Sequence, residues 1–304
     1  MIDLKIQNES SQLKIVVLGI ANDFGGTPKL ENCYDPKSKE HINDGTFPVE
    51  DDLIIEIEGF RKVLEKYNVE VIRPENIEDL NQIFVRDISF VIENKIIISN
   101  IIEERKEEIT ATLSIFDLID KNNIIKIPKN IRIEGGDVMP WNNYIFVGYS
   151  ENEDFEKYKV ARTNKAAVDF LKNQFPQKDV KSFELNKSDS DPRENALHLD
   201  CCFQPISRNM AIIYSGGFKN KKDVDFLVNL FSVENIIFIT KEEMYNMNSN
   251  IFSISEKIIV SEKNFTRLNK ELRKKGFIVE EIPYSEIAKM EGSLRCSTLP
   301  LKRK

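Results

Sequence analysis

Five residues with reactive or acidic side chains stand beside short apolar segments that are far apart in the chain. They are Cys296, His198, Glu134, Asp87 and Asp200. One cysteine with a distant histidine and acidic partners is typical of an enzyme that uses a thiol nucleophile, provided that the fold gathers them. In such a site the thiolate attacks an electrophilic carbon, the imidazole moves protons, and carboxylates hold or orient the reactants.

Each of these residues belongs to a short motif. The motifs are Phe-Val-Arg-Asp at 84–87, Ile-Glu-Gly-Gly-Asp at 133–137, Leu-His-Leu-Asp at 197–200 and Arg-Cys-Ser-Thr-Leu-Pro-Leu at 295–301. In the second motif, two glycines would let the backbone approach a cavity wall closely. The motifs flank segments that we predict to be strands, so strand ends would carry the side chains.

The composition indicates a folded protein and limits its partners. Of the 304 residues, 41% are hydrophobic and 31% are charged, and the formal net charge is −7. A negative charge argues against a nucleic-acid partner, whose phosphates require a basic face. The negative net charge weakly favours the binding of a small cationic substrate. A homo-oligomer is compatible with the sequence, which does not decide the oligomeric state.

The cysteines and histidines argue against a metal site and for a reducing compartment. None of the four cysteines has the spacing of a zinc site, and only two histidines are present. Few cysteines in a long chain suggest free thiols. No apolar run reaches the roughly 18 residues of a membrane span, and the N-terminal segment lacks a signal-peptide pattern. We therefore expect a cytoplasmic protein without a membrane partner.

A loose repeat of two strands, a helix and a further strand recurs along the chain. Apolar pairs separated by turn residues predict hairpins within 88–99, 137–147, 199–214 and 250–260. A helical pattern follows each hairpin, at 102–119, 163–174, 221–231 and 264–275. Another strand follows each helix, at 124–127, 180–183, 236–239 and 277–282.

The two ends of the chain complete the repeat. A strand at 14–20, a helix at 52–67 and a strand at 69–72 form a partial unit, and a final strand at 294–299 can pair with the first. The positions that mark the units are Asp87, Asp137, Asp200, Ser253 and Cys296. Five units closed into a ring would remove exposed sheet edges and direct equivalent points to one central cavity. We predict one domain over 1–304, with an open α/β sheet as the alternative.

Taken in order, the four motifs resemble those of the guanidine-modifying enzymes of the pentein superfamily. These include arginine deiminases, dimethylarginine dimethylaminohydrolases and amidinotransferases. The resemblance extends from about residue 80 to 301. It implies a five-bladed α/β propeller of ββαβ units around a central active-site cavity, in agreement with the repeat.

The resemblance also implies a role for each residue, with no cofactor. Asp87 and Asp200 match the carboxylates that bind the guanidinium, whose N–H fork suits paired hydrogen bonds. Cys296 matches the nucleophile, and His198 matches the acid and base. Glu134 matches the acidic partner of both the substrate and the histidine.

Two arginines, and two residues in or just before the first motif, are candidates to bind the part of the substrate that lies beyond the guanidino group. Arg105 and Arg162 fall where relatives hold the substrate carboxylate, although Arg105 could equally lie on a solvated helix. Asn81 and Phe84 match positions that frame the substrate. One departure is Glu291, which replaces an arginine that arginine deiminases carry five residues before the cysteine, and which could admit a more basic or extended tail.

Other residues have structural interpretations. Asp137 could be catalytic or could brace the glycine turn. Cys201 and Cys202 are expected on an alternating strand as core or supporting residues. Arg86 is expected to form a structural ion pair, and His41 is expected to lie in a solvated loop.

The expected protein is a cofactor-free hydrolase acting on small cationic guanidino compounds. It would cleave a guanidino C–N bond of arginine or N-methylated arginine, giving citrulline plus ammonia or a methylamine. An amidinotransferase is the alternative, because the same residues can pass the amidino group to an amine. A binding protein that lacks catalysis would not need all five residues, and a papain-like protease would carry a different cysteine motif.

Overall fold

The chain forms five three-stranded sheets, described by a computed structural model that covers residues 1–304. Each sheet has one antiparallel and one parallel strand pair, and its middle strand belongs to both. Within a sheet, the parallel pair is connected through helical segments, as parallel strands require a crossover. We call the sheets blades 1 to 5.

The strands follow the predicted repeat. Blade 1 contains β1 (Leu13–Leu18), β2 (Glu70–Ile72) and β15 (Thr298–Arg303), with β1 in the middle. The other blades each use three consecutive strands, namely β3 (Ser89–Ile92), β4 (Lys95–Ile98) and β5 (Ile124–Lys126) in blade 2, β6 (Val138–Trp141), β7 (Tyr144–Tyr149) and β8 (Asp179–Glu184) in blade 3, β9 (Phe203–Ile206), β10 (Met210–Ile213) and β11 (Ile236–Phe238) in blade 4, and β12 (Phe252–Ser253), β13 (Ile258–Glu262) and β14 (Ile278–Ile282) in blade 5.

Helices connect the parallel strands and cover the blades. The α-helices are α1 (Pro36–Asn43), α2 (Glu50–Lys66), α3 (Val85–Ile88), α4 (Leu113–Asp117), α5 (Asn152–Lys157), α6 (Lys165–Gln174), α7 (Lys221–Phe231), α8 (Lys241–Tyr245), α9 (Thr266–Lys274) and α10 (Ser285–Ala288). Helix α2 shows why such segments are helical: acidic residues fill its first turn, which suits the helix dipole, and Leu53, Ile57, Phe60 and Leu64 form one buried face.

Hydrophobic clusters between neighbouring blades close the ring. Five clusters join blades 1 and 2, 2 and 3, 3 and 4, 4 and 5, and 5 and 1. Val17 and Val91 lie in the first of these clusters, and Leu18 and Val260 in the last. The structure therefore confirms the five-unit α/β arrangement, and an open sheet is excluded because every blade packs on two neighbours.

Blade 1 joins the two ends of the chain. Strand β15 runs antiparallel to β1, with Leu18 opposite Thr298 and Leu13 opposite Arg303. This pairing was predicted from the sequence, but the strand begins four residues later than expected. The segment before it, which contains Cys296, is a turn.

Two further details differ from the sequence prediction. Cys201 and Cys202 do not lie on a strand, because Leu199–Cys201 forms a 3-10 turn and β9 begins only at Phe203. The helix predicted at 102–119 is a 3-10 helix over Glu103–Thr112 followed by α4. None of the helices is long and apolar enough to cross a bilayer.

Candidate active site

Short helical turns at the start of three blades bring the acidic motifs together. Asp87 lies in α3, Gly135–Asp137 forms a 3-10 turn after Glu134, and Asp200 lies in the turn after His198. The first of these turns contacts the second, and the second contacts the third. Each turn precedes the first strand of its blade, so the ring of blades delivers all three to the centre.

A cavity of about 250 Å³ opens at this centre. Of the residues predicted from the sequence, it is lined by Cys296, His198, Asp87, Arg105, Arg162, Phe84 and Asn81. Glu134 and Asp200 are fully buried and lie behind this wall. The fold thus assembles the nine residues, seven on the cavity surface and two beneath it.

His198 is held between two carboxylates. Its Nε2 lies 2.8 Å from Glu134 Oε2, and its Nδ1 lies 3.7 Å from Asp87 Oδ1. Gly136 packs against the imidazole so closely that a Cβ at this position would lie 2.6 Å from His198 Nδ1. A glycine is therefore required here for the ring to occupy this position.

The charges around His198 favour its protonated form. Burial lowers the pKa of His198, but Asp87 and the hydrogen bond with Glu134 outweigh it and raise the pKa to about 8. For Glu134, burial opposes ionisation, yet Arg162 and His198 hold the pKa well below its usual range. At neutral pH this pair is an imidazolium next to a carboxylate.

Cys296 lies in a different environment. Its Sγ accepts a hydrogen bond from Asn250 Nδ2 at 3.1 Å and lies 3.7 Å from Asp200 Oδ2. Burial raises the pKa of the Cys296 thiol well above its usual range, and Asp200 and Asp87 raise it further. These effects favour the thiol form of Cys296, and a cation next to the sulfur would favour the thiolate.

Asn250 is a site residue that the sequence analysis missed. It is fully buried just before β12, and its Oδ1 accepts hydrogen bonds from the backbone amides of Arg295 and Cys296. The proposed marker of this blade, Ser253, lies instead within β12 and its hydroxyl has no partner. The predicted strand begins at Asn250, whereas β12 begins only at Phe252, so the sequence prediction places Asn250 within a strand.

Asp200 is held from behind by Arg295. The Arg295 Nη1 donates to Asp200 Oδ2 at 2.9 Å, and its other nitrogens donate to Glu9 at 3.1 and 3.2 Å. Nη2 also donates to the carbonyl of Val138. This buried arginine links the segment before the nucleophile to blade 3 and to the N-terminal segment, and the sequence analysis did not single it out.

The two arginines predicted to hold a substrate carboxylate are engaged within the protein. Arg105 donates to both oxygens of Glu108 at 2.8 and 2.7 Å and to Asp87 Oδ2 at 2.8 Å. Arg162 donates to Glu134 Oε2 at 3.1 Å and to the carbonyl of Tyr34 at 3.1 Å. Arg105 is therefore buried and does not lie on a solvated helix. Of the guanidinium nitrogens of these two arginines, only Nε of Arg162 lacks a hydrogen-bond partner.

The remaining candidates have supporting positions. Asp137 does not line the cavity; its Oδ1 accepts the backbone amide of Leu199, next to His198. Cys201 and Cys202 are both buried. His41 is on α1 rather than in a loop.

Arg86 is buried below the site and donates to the carbonyl of Arg295 and to Thr298. This position agrees with a structural role. Phe84 and Asn81 lie at the cavity wall, where Gly292 packs directly against the ring of Phe84.

Three side chains have the geometry of a metal site. Ligand atoms of Asp87, Glu134 and His198 all lie within 4.8 Å of one another. Arg105 binds Asp87 and Arg162 binds Glu134, so a cation here would have to displace or lie against two guanidinium groups. The charge of the surrounding groups therefore disfavours a metal ion at this point.

Comparison with known proteins agrees with this geometry. The sequence profile of the family described as N,N dimethylarginine dimethylhydrolase, eukaryotic, matches residues 46–303. The uncharacterized protein YkgA of Bacillus subtilis is 31% identical over 243 residues, which are 80% of this chain and 77% of YkgA.

Among solved structures, the N-terminal domain of ArgZ, a cyanobacterial arginine dihydrolase bound to its product, superposes with a TM-score of 0.78 at 17% identity, covering 96% of this chain and 98% of that domain. SxtG, an amidinotransferase from Microseira wollei, has a TM-score of 0.75 at 17% identity, covering 99% and 98%. Because the family profile matches residues 46–303, the chain belongs to the eukaryotic-type N,N-dimethylarginine dimethylhydrolase family, within the guanidino-modifying penteins.

Proposed function

We propose that this protein is a hydrolase that cleaves a guanidino C–N bond of arginine or N-methylated arginine through a covalent intermediate on Cys296. One observation carries the proposal: a buried sulfur shares a cavity with an imidazolium and with carboxylates that can hold a planar cation. Family membership supports the same substrate class.

The first half-reaction uses the cation to activate the thiol. Asp87 lines the cavity and Asp200 lies beside the sulfur, so a guanidinium between them would lie close to Cys296. The positive charge of the guanidinium lowers the free energy of the thiolate, and the thiol proton passes to solvent. The sulfur then adds to the guanidinium carbon, His198 protonates one nitrogen, and the C–N bond breaks to release ammonia or a methylamine.

The second half-reaction regenerates the thiol. His198, now neutral, removes a proton from water, and the resulting hydroxide adds to the amidino carbon. The C–S bond breaks, the thiolate leaves and is reprotonated, and the product is a ureido compound. Glu134 keeps the imidazole oriented in both steps through its 2.8 Å contact.

Asn250 and the two arginines complete the proposed roles. The Asn250 amide stabilises negative charge on the sulfur through its hydrogen bond. Arg162 has one unpartnered donor, Nε, for a substrate group, whereas Arg105 could bind a carboxylate only by releasing Asp87 or Glu108. Phe84 and Asn81 would border the alkyl part of the substrate.

Incubation with arginine, N-methylarginine and N,N-dimethylarginine tests the proposal. We expect a ureido product, and protein quenched during turnover should carry an added amidino mass on Cys296. The absence of a ureido product from all three compounds, with no mass on Cys296, would contradict hydrolysis.

Amidino transfer to an amine is the second candidate, supported by the likeness of the fold to SxtG over nearly the whole chain. It uses the same covalent intermediate, which an amine rather than water captures. Adding glycine to the arginine reaction distinguishes the two activities. Ornithine with a new guanidino compound would indicate transfer, and citrulline at an unchanged rate would indicate hydrolysis.

A further inference from the structure

Two acidic side chains line the cavity, and neither of them forms a salt bridge. Asp35 and Glu291 are 4% and 5% exposed, and both border the cavity that contains Cys296. Asp35 precedes α1, and Glu291 precedes the turn that carries the nucleophile.

The hydrogen bonds that these carboxylates receive come only from neutral groups. Asp35 Oδ1 accepts the amide of Ser38 at 2.7 Å, and the Asp35 carboxylate lies within hydrogen-bond range of the Glu291 carboxyl group. Glu291 accepts the side-chain amide of Asn195 at 2.6 Å and the backbone amide of Lys37 at 3.4 Å. The N-terminus of α1 thus compensates only part of two buried charges.

The nearest ammonium group is directed elsewhere. Lys37 Nζ donates to the carbonyl of Tyr245 at 2.5 Å and lies 4.5 Å from the centre of the Tyr245 ring. The two acids lie close together: burial raises the pKa of Glu291 well above its usual range and the adjacent Asp35 raises it further, while the charge of Lys37 opposes this only in part. Two buried carboxylates without an ion pair are unfavourable unless a proton or a cation joins them.

The other carboxylates of the wall either pair with a cation or, in the case of Asp79, are exposed to solvent. Six carboxylates line the cavity, against two guanidinium groups and the imidazole of His198. The guanidinium carbons of Arg162 and Arg105 lie 5.5 and 5.9 Å from the centre of the Tyr34 ring, so both groups are within cation–π distance of this ring. Glu104 has a partner in Lys159 at 2.8 Å. The free charge on the wall is therefore negative.

We propose that Asp35 and Glu291 form a binding subsite for an ammonium group at the end of the substrate opposite its guanidino group. This inference rests on the proposed function, since it places the guanidinium at Cys296. The substrates it selects are guanidino compounds with a distal primary amine. The amine, more than a carboxylate, then determines affinity.

Four ligands that share a guanidino group and differ at the other end test the subsite. Arginine has an amine and a carboxylate, agmatine only the amine, 4-guanidinobutyrate only the carboxylate, and n-butylguanidine neither. Their dissociation constants are measured calorimetrically on the Cys296→Ala protein, which removes turnover. We expect agmatine to bind at least about tenfold more tightly than n-butylguanidine, as suits a charge-assisted hydrogen bond.

Substitutions then assign the difference to the two acids. Glu291→Gln and Asp35→Asn should each reduce the advantage of agmatine by about tenfold or more and leave n-butylguanidine unchanged. Glu40→Gln is the matched control, because Glu40 is also on α1 but pairs with Arg193 outside the cavity. It should bind all four ligands as the parent does.

The outcomes separate this inference from the proposed function. Equal affinities for agmatine and n-butylguanidine, or an advantage that survives both substitutions, would overturn the subsite. A 4-guanidinobutyrate preference would overturn it as well. Turnover of the same ligands by the unsubstituted enzyme is scored separately, so that amine-dependent binding without a ureido product would retain the subsite and reject hydrolysis.

Discussion

The side-chain amide of Asn250 connects blade 5 to the nucleophile by donating a 3.1 Å hydrogen bond to the sulfur of Cys296. Its oxygen accepts the backbone amides of Arg295 and Cys296 at 2.9 and 3.2 Å. One asparagine thus fixes the backbone and stabilises charge on the sulfur. The other side chain within hydrogen-bond range of the thiol is that of Asp200, whose negative charge disfavours the thiolate, so the Asn250 amide opposes its effect.

Replacing Asn250 by alanine should slow the reaction of Cys296 with iodoacetamide and raise the apparent pKa of that reaction. Loss of a hydrogen bond to a charged group is worth about 1.5–3 kcal/mol, or about a 10- to 100-fold decrease in turnover. Mass spectrometry assigns the modified cysteine. The control is Ser253→Ala, which removes an unpartnered hydroxyl near the same turn and should leave the alkylation rate unchanged. Equal rates for both variants would contradict the role of Asn250.

The Cys296→Ala variant should lose turnover by at least about four orders of magnitude while retaining its fold, because the nucleophile is removed and a small side chain replaces it. Activity assays and thermal unfolding measure the two effects. Cys202→Ala is the matched control, since Cys202 is equally buried but lies in the core between blades 3 and 4. Residual turnover of Cys296→Ala close to that of Cys202→Ala would exclude a covalent mechanism on this sulfur.

The two histidines should titrate on opposite sides of the ordinary histidine pKa of 6.5. His198 should titrate near 8, because Asp87 and Glu134 outweigh burial. Burial and the nearby Lys37 lower the pKa of His41. NMR titration of the imidazole signals, assigned with His41→Asn, measures both values. Both signals titrating below 6.5 would rule out the imidazolium at neutral pH.

This titration has a consequence for stability. Because the folded pKa of His198 is raised, its contribution is complete below pH 6.5 and is lost as the pH rises through about 8. The difference between these pKa values corresponds to about 2 kcal/mol. The free energy of unfolding of the wild type minus that of His198→Gln should therefore fall by about this amount between pH 6 and 9. A flat difference would contradict the assignment.

Removing Arg295 should destabilise the fold more than removing any surface cation. Arg295→Met leaves Glu9 and Asp200 buried without their partner, and breaking such a pair costs about 3–5 kcal/mol. Urea unfolding measures the loss. Lys274→Met is the comparison, since its pair with Glu271 is exposed and screened by solvent, so that its removal should change the free energy of unfolding far less. Similar losses for both would mean that the network around Asp200 is not structural.

Gly136→Ala should reduce activity strongly, because the added methyl group would lie 2.6 Å from His198 Nδ1 and 3.0 Å from Asp87 Oδ1. The imidazole must shift to accommodate the methyl group, which disturbs its 2.8 Å contact with Glu134. Gly59→Ala is the control: Gly59 lies within α2 with open space around it, and alanine there should stabilise the helix by about 0.5–1 kcal/mol. Normal turnover of Gly136→Ala would show that the position of the ring is not critical.

Local sequence patterns determined the repeat and the order of the site residues. Hairpins with β-branched residues, and helices with one apolar face such as Lys221–Phe231, depend on neighbours within a few positions. The apolar positions of β1 and β15 also indicated that the chain ends pair, because a five-unit ring without this strand would leave an open edge. The four ordered motifs sufficed to name Cys296, His198 and Glu134 as a group.

Only the tertiary structure decided which charges meet. Arg295 and Glu9 are 286 positions apart, and the sequence contains no signal for their contact. The pairing of Arg105 with Asp87 and Glu108, the donor from Asn250, and the proximity of Asp35 and Glu291 likewise depend on how blades and loops pack. Electrostatic interactions vary with distance and burial, and both quantities are fixed only when distant segments come together.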